Sequence, residues 1–270
     1  MHGCHYDKGT SEISSAPTGS SGQTAIPPGK PLSANTQTLN TMAGLVQEFA
    51  PLKNICGFLN AFHLYADEPT RFVEAHHYCA SVNEDFRQCL IYDSNEKDAR
   101  LIGVEYMITP KLYETLDESE RRLWHSHVFE IKSGMLIMPK PPFIPESVWE
   151  IAENKEMEQI IQLYGKIYHL WQIDRGDALP IGVPKLMTSV TEESEIDGEL
   201  LERIKERDRK FVADFNKKRE MRKGLKEPEI HPDADQCKKK ASSSGTSDVK
   251  GLPKKDFPTL AEAAAPRAVQ

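Results

Sequence analysis

Four residues from three separate segments have side chains that could bind a metal ion. His125 and His127 lie two positions apart in WHSHVFEIKSG, residues Trp124–Gly134. If this segment is a strand, the two imidazoles point to the same face. His77 lies in EAHHYC, and Glu105 lies in LIGVEYMI, which is otherwise mainly apolar. The set predicts a site for a divalent transition metal, and zinc, iron and manganese are the ions that these ligands suit.

The same four side chains allow other interpretations. A carboxylate within an apolar strand must be paired, bound to a metal or protonated, so Glu105 alone does not identify a metal site. The histidines could instead hydrogen-bond within a sheet or lie on its wet face. A pocket formed by them could also bind a small molecule without a metal. A metal-dependent enzyme, a small-molecule binding module and a structural cluster therefore stay as alternatives.

The chain contains no complete catalytic motif. It has no phosphate-binding loop, no G-x-G-x-x-G and no G-x-S-x-G nucleophile elbow. Five cysteines without a C-x-x-C pair indicate neither a disulfide framework nor a zinc ribbon, and they favour a reducing cytosolic setting. Cys79 and Cys89 are expected to be free thiols that pack as small hydrophobic residues. Catalytic and cofactor-binding residues are therefore left unassigned.

Short alternating segments predict an α+β fold with a mainly antiparallel sheet covered by helices. Tight polar turns between the segments favour antiparallel pairing. The strand that carries the two histidines is predicted to continue to Ile131, with Glu130 on the opposite face and Met135–Met138 as a returning strand. Leu179–Met187 is rich in Pro and Gly and is predicted to be a loop. The other predicted strands are residues 60–66, 72–81, 88–92, 101–108 and 167–173, with helices at 110–123 and 145–165.

An amphipathic helical stretch precedes the first strand. Apolar residues recur every three or four positions from Leu39 to Leu59, which predicts two short helices joined at Pro51. We expect their apolar face to pack against the sheet. A lipid surface is the alternative, although the polar face lacks the Lys and Arg that many surface-binding helices carry.

Composition divides the chain into four parts. Residues 1–37, rich in Ser, Thr, Gly and Pro, are predicted to be a disordered tail, and residues 38–190 to be the α+β domain. Residues 191–227 are predicted to form a charged helical extension. Its apolar stripe is thin, so we expect it to project from the domain or to dock weakly. Residues 228–270, dominated by Pro, Lys and Ser, are predicted to be a second disordered tail.

Charge and hydropathy limit the classes of partner and the location that can be expected. The net charge is −7, and residues 1–194 carry 16 Lys and Arg against 26 Asp and Glu. An acidic domain argues against nucleic acid as a partner, because phosphate binding needs clustered positive charge. The sequence has no pattern of a secretory signal, and its apolar run Ile55–Ala66 is shorter than the roughly 20 residues of a transmembrane helix. These features predict a cytoplasmic protein without a transmembrane segment.

Several longer motifs carry a resemblance to a known family. They are EAHHYC with NEDFRQCLIYDS, then ARLIGVEYMI, LWHSHVFEIKSG and YGKIYHLWQIDRGDALPIGVP, in this order and spacing. Over roughly residues 38–190 the chain resembles the oil body-associated proteins. The resemblance implies a role at the surface of seed oil bodies, which are lipid droplets, in their biogenesis and stability. It implies no established catalytic activity, and no residue takes a catalytic role from it.

The resemblance also sets expectations for partners and localisation. Oleosin-type droplet proteins rely on a long apolar hairpin, which this chain lacks. Attachment would therefore be peripheral, through an amphipathic helix or a protein partner. The expected partners are the lipid-droplet surface or its proteins, and the expected localisation is the cytoplasm, including the droplet surface.

Overall fold

A computed structural model describes residues 27–238, and its centre is a closed antiparallel barrel. In this part of the chain six strands form the barrel wall, and a two-residue strand, β5, pairs beside them. An antiparallel sheet with helices agrees with the predicted α+β class, whereas closure into a barrel was not predicted. The strands are β1 (Gly57–Tyr65), β2 (Phe72–Asn83), β3 (Phe86–Tyr92), β4 (Leu101–Ile108), β5 (His125–Ser126), β6 (Tyr164–His169) and β7 (Lys185–Ser189).

The barrel closes because β4 pairs with β6. Neighbouring strands run β1, β2, β3, β4, β6 and β7, and β7 returns to β1. Glu105 faces Ile167 across the β4–β6 pair, and His63 faces Ser189 across the β1–β7 pair. The strand β7 overlaps the end of Leu179–Met187, which was predicted to be a loop. Five strand residues directly after a proline give too short an alternation to be recognised as a strand.

The inner wall of the barrel mixes apolar and polar side chains. Residues directly opposite each other in an antiparallel pair point to the same side of the sheet. One such row crosses four strands and consists of Cys79, Cys89, Glu105 and Ile167. Three of these side chains are apolar and buried, and the fourth is a buried carboxylate. The row therefore carries an acidic group into the hydrophobic interior.

Helices connect the strands and flank the barrel. No helix between residues 27 and 238 is both long and apolar enough to cross a membrane. Two 3₁₀ turns, Ile173–Arg175 and Glu193–Glu195, complete the regular structure of this region. The helices are α1 (Ala34–Val46), α2 (Ala50–Lys53), α3 (Pro110–Tyr113), α4 (Glu118–Arg121), α5 (Val128–Lys132), α6 (Glu146–Ile160), α7 (Gly198–Phe211) and α8 (Phe215–Met221).

The first helix, α1, turns its apolar face to solvent. Ser33 caps the helix by accepting a hydrogen bond from the backbone N–H of Thr36. No residue of α1 is buried, and Leu45 and Val46 each expose 81% of their surface. The expectation that this face packs against the sheet is therefore wrong.

The segment after the paired histidines is a helix. β5 is only two residues long, and α5 begins at Val128. The prediction of a strand continuing to Ile131 is wrong, because apolar residues two apart over so few positions also fit the buried side of a single helical turn. The predicted returning strand, Met135–Met138, makes only one bridge, from Ile137 to Asn60.

The charged helices α7 and α8 are docked firmly by buried arginines. Arg207 of α7 donates to the side-chain oxygen of Asn60 at 2.9 Å and to the carbonyl of Met135 at 2.8 Å. Arg222, which follows α8, pairs with the buried Glu153 at 3.1 Å. The apolar stripe of α7 also enters a core cluster with β1. The expectation that this extension projects or docks weakly is wrong, because both arginines are buried and bonded to groups of the domain.

Residues 228–238 lie against the barrel, although the sequence assigned them to a tail. The carboxylate of Asp235 accepts hydrogen bonds from the backbone N–H of Ser126 at 2.7 Å and from its hydroxyl at 2.8 Å. These contacts tie the segment to β5. The remaining parts of the two predicted tails, residues 1–26 and 239–270, lie outside the described residues.

Cys79 and Cys89 form a disulfide between β2 and β3. They are direct cross-strand partners, with their Cα atoms 4.0 Å apart. The expectation that these two cysteines are free is wrong, because an odd number of cysteines without a C-x-x-C pair does not exclude one cross-strand bridge. Cys56 and Cys237 are free thiols, and Cys4 lies outside the described residues.

Candidate metal centre

Glu105 of β4 lies at the centre of a cluster of imidazoles inside the barrel. Its Oε2 atom is 3.2 Å from Nε2 of His77 on β2. Its Oε1 atom is 3.3 Å from Nε2 of His127 and 3.5 Å from Nε2 of His125. All four residues are at most 2% exposed. The structure thus brings together all four residues that the sequence predicted as a metal site.

Two further histidines extend the cluster. Nε2 of His63 on β1 lies 2.9 Å from Nε2 of His77, and Nδ1 of His63 lies 3.0 Å from Nε2 of His169 on β6. Sequence reasoning missed both. His63 lies in the predicted strand 60–66 and His169 in the predicted strand 167–173. The sequence did contain a signal for both: each histidine alternates with apolar residues along its strand, as His77 does.

A second carboxylate, that of Glu130, lines the same cavity. The cavity has a volume of about 10 Å³, which is roughly the space that one water needs. Glu130 is 3% exposed, and no hydrogen bond from the described residues reaches its carboxylate. The strand prediction set Glu130 on the face opposite His127. The helix α5 instead brings it to the same side, because residues three apart share a helix face.

Gly165 of β6 has no side chain, and the cluster occupies the space that a side chain there would need. A Cβ atom at this position would lie 2.6 Å from Cε1 and 2.7 Å from Nε2 of His125, and it would also collide with Oε1 of Glu105. These separations are shorter than any normal van der Waals contact. Glycine is therefore required here by the close approach of side chains from the neighbouring strands.

A hydrogen bond at Nδ1 of His127 determines how its ring can be protonated. Nδ1 lies 2.8 Å from the carbonyl oxygen of Leu163, which can only accept, so Nδ1 carries a proton. A neutral His127 therefore turns an unprotonated Nε2 toward Glu105. At 3.3 Å the lone pair on Nε2 faces a carboxylate that is also an acceptor. Either a proton on Nε2 or a cation between the two groups removes this repulsion.

Of these two possibilities, the surrounding protein groups favour a proton on Nε2 of His127. Burial would lower the pKa of His127, but its hydrogen bond to Glu105 and the charges of Glu130 and Glu105 raise it to about 9. Burial would raise the pKa of Glu105, but the contacts with its three histidines hold that pKa well below its usual range. A bound divalent cation would take the place of this proton: it would lower the pKa of His127 and would keep Glu105 ionised.

The outer histidines are neutral. Burial and the neighbouring His77 hold the pKa of His63 well below its usual value. The same two causes lower the pKa of His169 to about 3. Burial also raises the pKa of Glu130. Because the neutral imidazole is the form that binds a metal, the outer histidines need to lose no proton to do so.

The ligand atoms fall into two groups of three that share Glu105. His63 and His77 form one group with it, and His125 and His127 form the other. Within each group all ligand atoms lie within 4.8 Å of one another. Imidazole nitrogen with carboxylate oxygen is a donor set for zinc, iron or manganese. These donor types fit a divalent transition metal. The carboxylate of Glu130, which lines the same cavity without a hydrogen bond from the described residues, fits one as well.

The region that contains the cluster matches one family model. The family is described as a protein of unknown function, DUF1264, and the match covers residues 49–226. Oil body-associated protein 1A of Zea mays is 45% identical over 207 residues, which are 76% of this chain and 83% of that protein. Oil body-associated protein 1B of Arabidopsis thaliana is 43% identical over 208 residues, covering 76% and 82%. Oil body-associated protein 2C of Arabidopsis thaliana is 38% identical over 221 residues, covering 81% and 90%.

The family match covers the whole barrel and every residue of the cluster. It also extends past residue 190, where the motif resemblance ended, and includes α7 and α8. No solved structure gives a significant match. The resemblance found in the motifs is confirmed, and the chain belongs to the oil body-associated protein family.

Proposed function

We propose that this protein attaches peripherally to the surface of oil bodies through the apolar face of α1. The names of the relatives describe association with oil bodies. The observation that carries the proposal in this chain is that Leu39, Met42, Leu45 and Val46 share one face of α1 and none is buried. An apolar helix face exposed to water is stabilised when it is buried at a lipid surface.

The composition of α1 indicates how it would bind. Its sequence, ANTQTLNTMAGLV, contains no charged residue, so attraction to anionic lipids contributes little. Burial of apolar side chains must supply the free energy, at about 1.5–3 kcal/mol for each large side chain. Phe49 and Leu52, which follow α1, are exposed as well and extend the apolar surface.

Flotation with artificial oil bodies tests this proposal. The full chain is mixed with triacylglycerol droplets coated with phosphatidylcholine, and the floating fraction is measured. Leu45→Glu introduces a charge into the apolar face and is expected to lower partitioning at least about 10-fold, because one buried leucine contributes about 1.5–3 kcal/mol. Asn40→Glu adds the same charge on the opposite side of the helix and is the matched control, expected to float like the unaltered chain.

Thermal unfolding separates loss of attachment from loss of fold. Both variants are expected to unfold at the temperature of the unaltered chain, because neither position is buried. Equal flotation of the two variants would contradict a role for the apolar face. Unfolding of Leu45→Glu at a clearly lower temperature would mean that this face belongs to the core.

We propose as a second function that the barrel interior binds a divalent transition metal. The observation that favours it is the convergence of three buried imidazole nitrogens on the carboxylate of Glu105, at 3.2 to 3.5 Å. A cavity of about 10 Å³ is too small for an organic ligand, so the geometry gives no support to a small-molecule binding module. Metal-dependent catalysis would need an opening through which a substrate reaches this cavity.

Elemental analysis of the purified full chain tests metal binding. We expect stoichiometric zinc, iron or manganese in protein prepared without chelators, and its loss in His127→Ala. His76→Ala is the matched control, because His76 is equally buried but lies on the other face of β2 from His77. Absence of bound metal from the unaltered chain after incubation with each of the three ions would contradict the proposal.

A further inference from the structure

We infer that the barrel holds a pair of divalent metal ions bridged by Glu105, rather than a single ion. This inference rests on the proposed metal binding and specifies its stoichiometry and ligands. His63 and His77 would bind one ion together with Oε2 of Glu105. His125 and His127 would bind the other together with Oε1.

The positions of the ligand atoms carry the argument. Oε2 of Glu105 faces His77 at 3.2 Å, whereas Oε1 faces the other two histidines at 3.3 and 3.5 Å. The two oxygens of one carboxylate therefore point to different imidazoles: Oε2 faces His77, which contacts His63, and Oε1 faces His125 and His127. Carboxylates that bridge two ions about 3.5–4 Å apart use their oxygens in this way.

A single ion cannot use all five side chains. Metal–nitrogen and metal–oxygen bonds are about 2.0–2.2 Å long, so two ligand atoms on one ion lie at most about 4.4 Å apart. The five side chains instead form two groups, each within 4.8 Å, with only Glu105 in both. Each group supplies three ligands, which is the number that catalytic zinc sites take from the protein.

All four imidazoles present the same atom to the centre. Nε2 is the ring nitrogen nearest to Glu105 or to the partner histidine in His63, His77, His125 and His127. Each group also contains one histidine whose Nδ1 is held from behind. Nδ1 of His63 lies 3.0 Å from His169, and Nδ1 of His127 lies 2.8 Å from the carbonyl of Leu163. Such partners orient metal-binding histidines and fix their tautomer.

Glu130 supplies an independent observation. It is a buried carboxylate that lines the cavity and has no hydrogen bond from the described residues. A buried carboxylate without a partner is costly unless a cation lies nearby. Two divalent ions carry four positive charges, and Glu105 offsets only one. Glu130 places a second carboxylate beside the pair.

Cobalt loading of the full chain tests the inference. Metal-free protein is titrated with Co²⁺, bound cobalt per chain is measured by mass spectrometry, and the electron paramagnetic resonance signal per bound ion is recorded. We expect two cobalt ions per chain with a signal per ion that is reduced by magnetic coupling. This measurement needs no variant, so it holds even where a substitution impairs folding.

Variants of the two groups assign the ligands. His77→Ala and His125→Ala are each expected to retain about one cobalt ion, with the full signal of an isolated ion. His76→Ala is expected to retain two coupled ions. Its imidazole lies against the ring of Phe211, at a centroid distance of 6.0 Å, on the opposite face of β2.

The outcomes distinguish this inference from metal binding itself. One cobalt ion in the unaltered chain at saturation would overturn the pair and leave the proposed metal binding intact. No bound cobalt, zinc, iron or manganese would overturn both. Two ions that show no coupling, or two coupled ions in a folded His77→Ala, would overturn Glu105 as the bridge or the assignment of His77.

Discussion

The helix α1 and the interior of the barrel reverse the usual distribution of side chains. Soluble proteins bury apolar groups and expose charged ones, yet α1 exposes a complete apolar face. The barrel interior buries five histidines and two glutamates between residues 63 and 169. Each reversal costs free energy as the chain stands. The comparison teaches why the two proposals differ in kind: the exposed apolar face motivates a lipid surface as partner, and the buried polar cluster motivates cations.

The largest effect is expected from adding one methyl group to the inner wall. Gly165→Ala would press its Cβ atom against His125 and Glu105, and it is expected to cost about 3 kcal/mol of unfolding free energy, the upper end for overpacking. It should also abolish metal binding. Gly44→Ala in α1 meets no atom within 4 Å and is expected to change barrel stability by less than about 0.5 kcal/mol. Chemical denaturation measures the free energy of unfolding of both variants. Equal losses would contradict the expected difference between the barrel interior and α1.

Removal of metal is expected to have the next largest effect. An ion present at 100 times its dissociation constant adds about 2.7 kcal/mol to the folded state. For a domain of this size, that corresponds to a fall of about 5–10 °C in Tm when a chelator is added. Leu45→Glu in α1 should leave Tm and its chelator response unchanged. A chelator without effect on a metal-loaded sample would mean that the interior is stable without its ions.

Removing the partner behind a ligand should have a smaller effect. His169 contacts His63 but not Glu105 within the described contacts, so in the proposed centre it would orient a ligand rather than bind the ion. His169→Ala is expected to weaken metal affinity by about 10–100-fold without lowering the stoichiometry at saturation. Competition with a chelating dye measures the affinity, and a loss of one full equivalent would instead make His169 a ligand.

The smallest effect is expected from salt on oil-body attachment. Because α1 has no charged residue, raising the salt concentration from about 0.05 to 0.5 M is expected to change its partitioning by less than about twofold. A basic membrane-binding helix would be released under these conditions. Strong release by salt would mean that a charged surface of the protein, rather than α1, makes the attachment.

Strand alternation predicted most of the cluster and missed the rest for identifiable reasons. His77 and Glu105 lie in strands that are long and alternate clearly, so their inward direction was predictable. His125 and His127 converge although the strand ends between them, because the backbone has not yet turned into α5. Glu130 was missed because its side chain reaches the cavity only through the turn of that helix.

The closure of the barrel and the docking of α7 could not be predicted from local pattern. Closure depends on the pairing of β4 with β6, which lie more than 50 residues apart, and on the five-residue β7. Docking of α7 depends on Arg207, a residue that sequence patterns assign to the surface. Its burial is stabilised by carbonyl and amide oxygens contributed by distant segments. Contacts of this kind exist only in the assembled fold.

Closure of the sheet also has a consequence for how neighbouring copies would meet on the proposed droplet surface. Each of the six barrel strands has a paired neighbour on both sides for at least part of its length. Unpaired strand edges are the usual templates on which concentrated proteins add one another's strands and aggregate. Among the described residues, no strand of the barrel wall has a wholly free edge. On the proposed droplet surface, neighbouring copies would therefore meet mainly through side chains and helices.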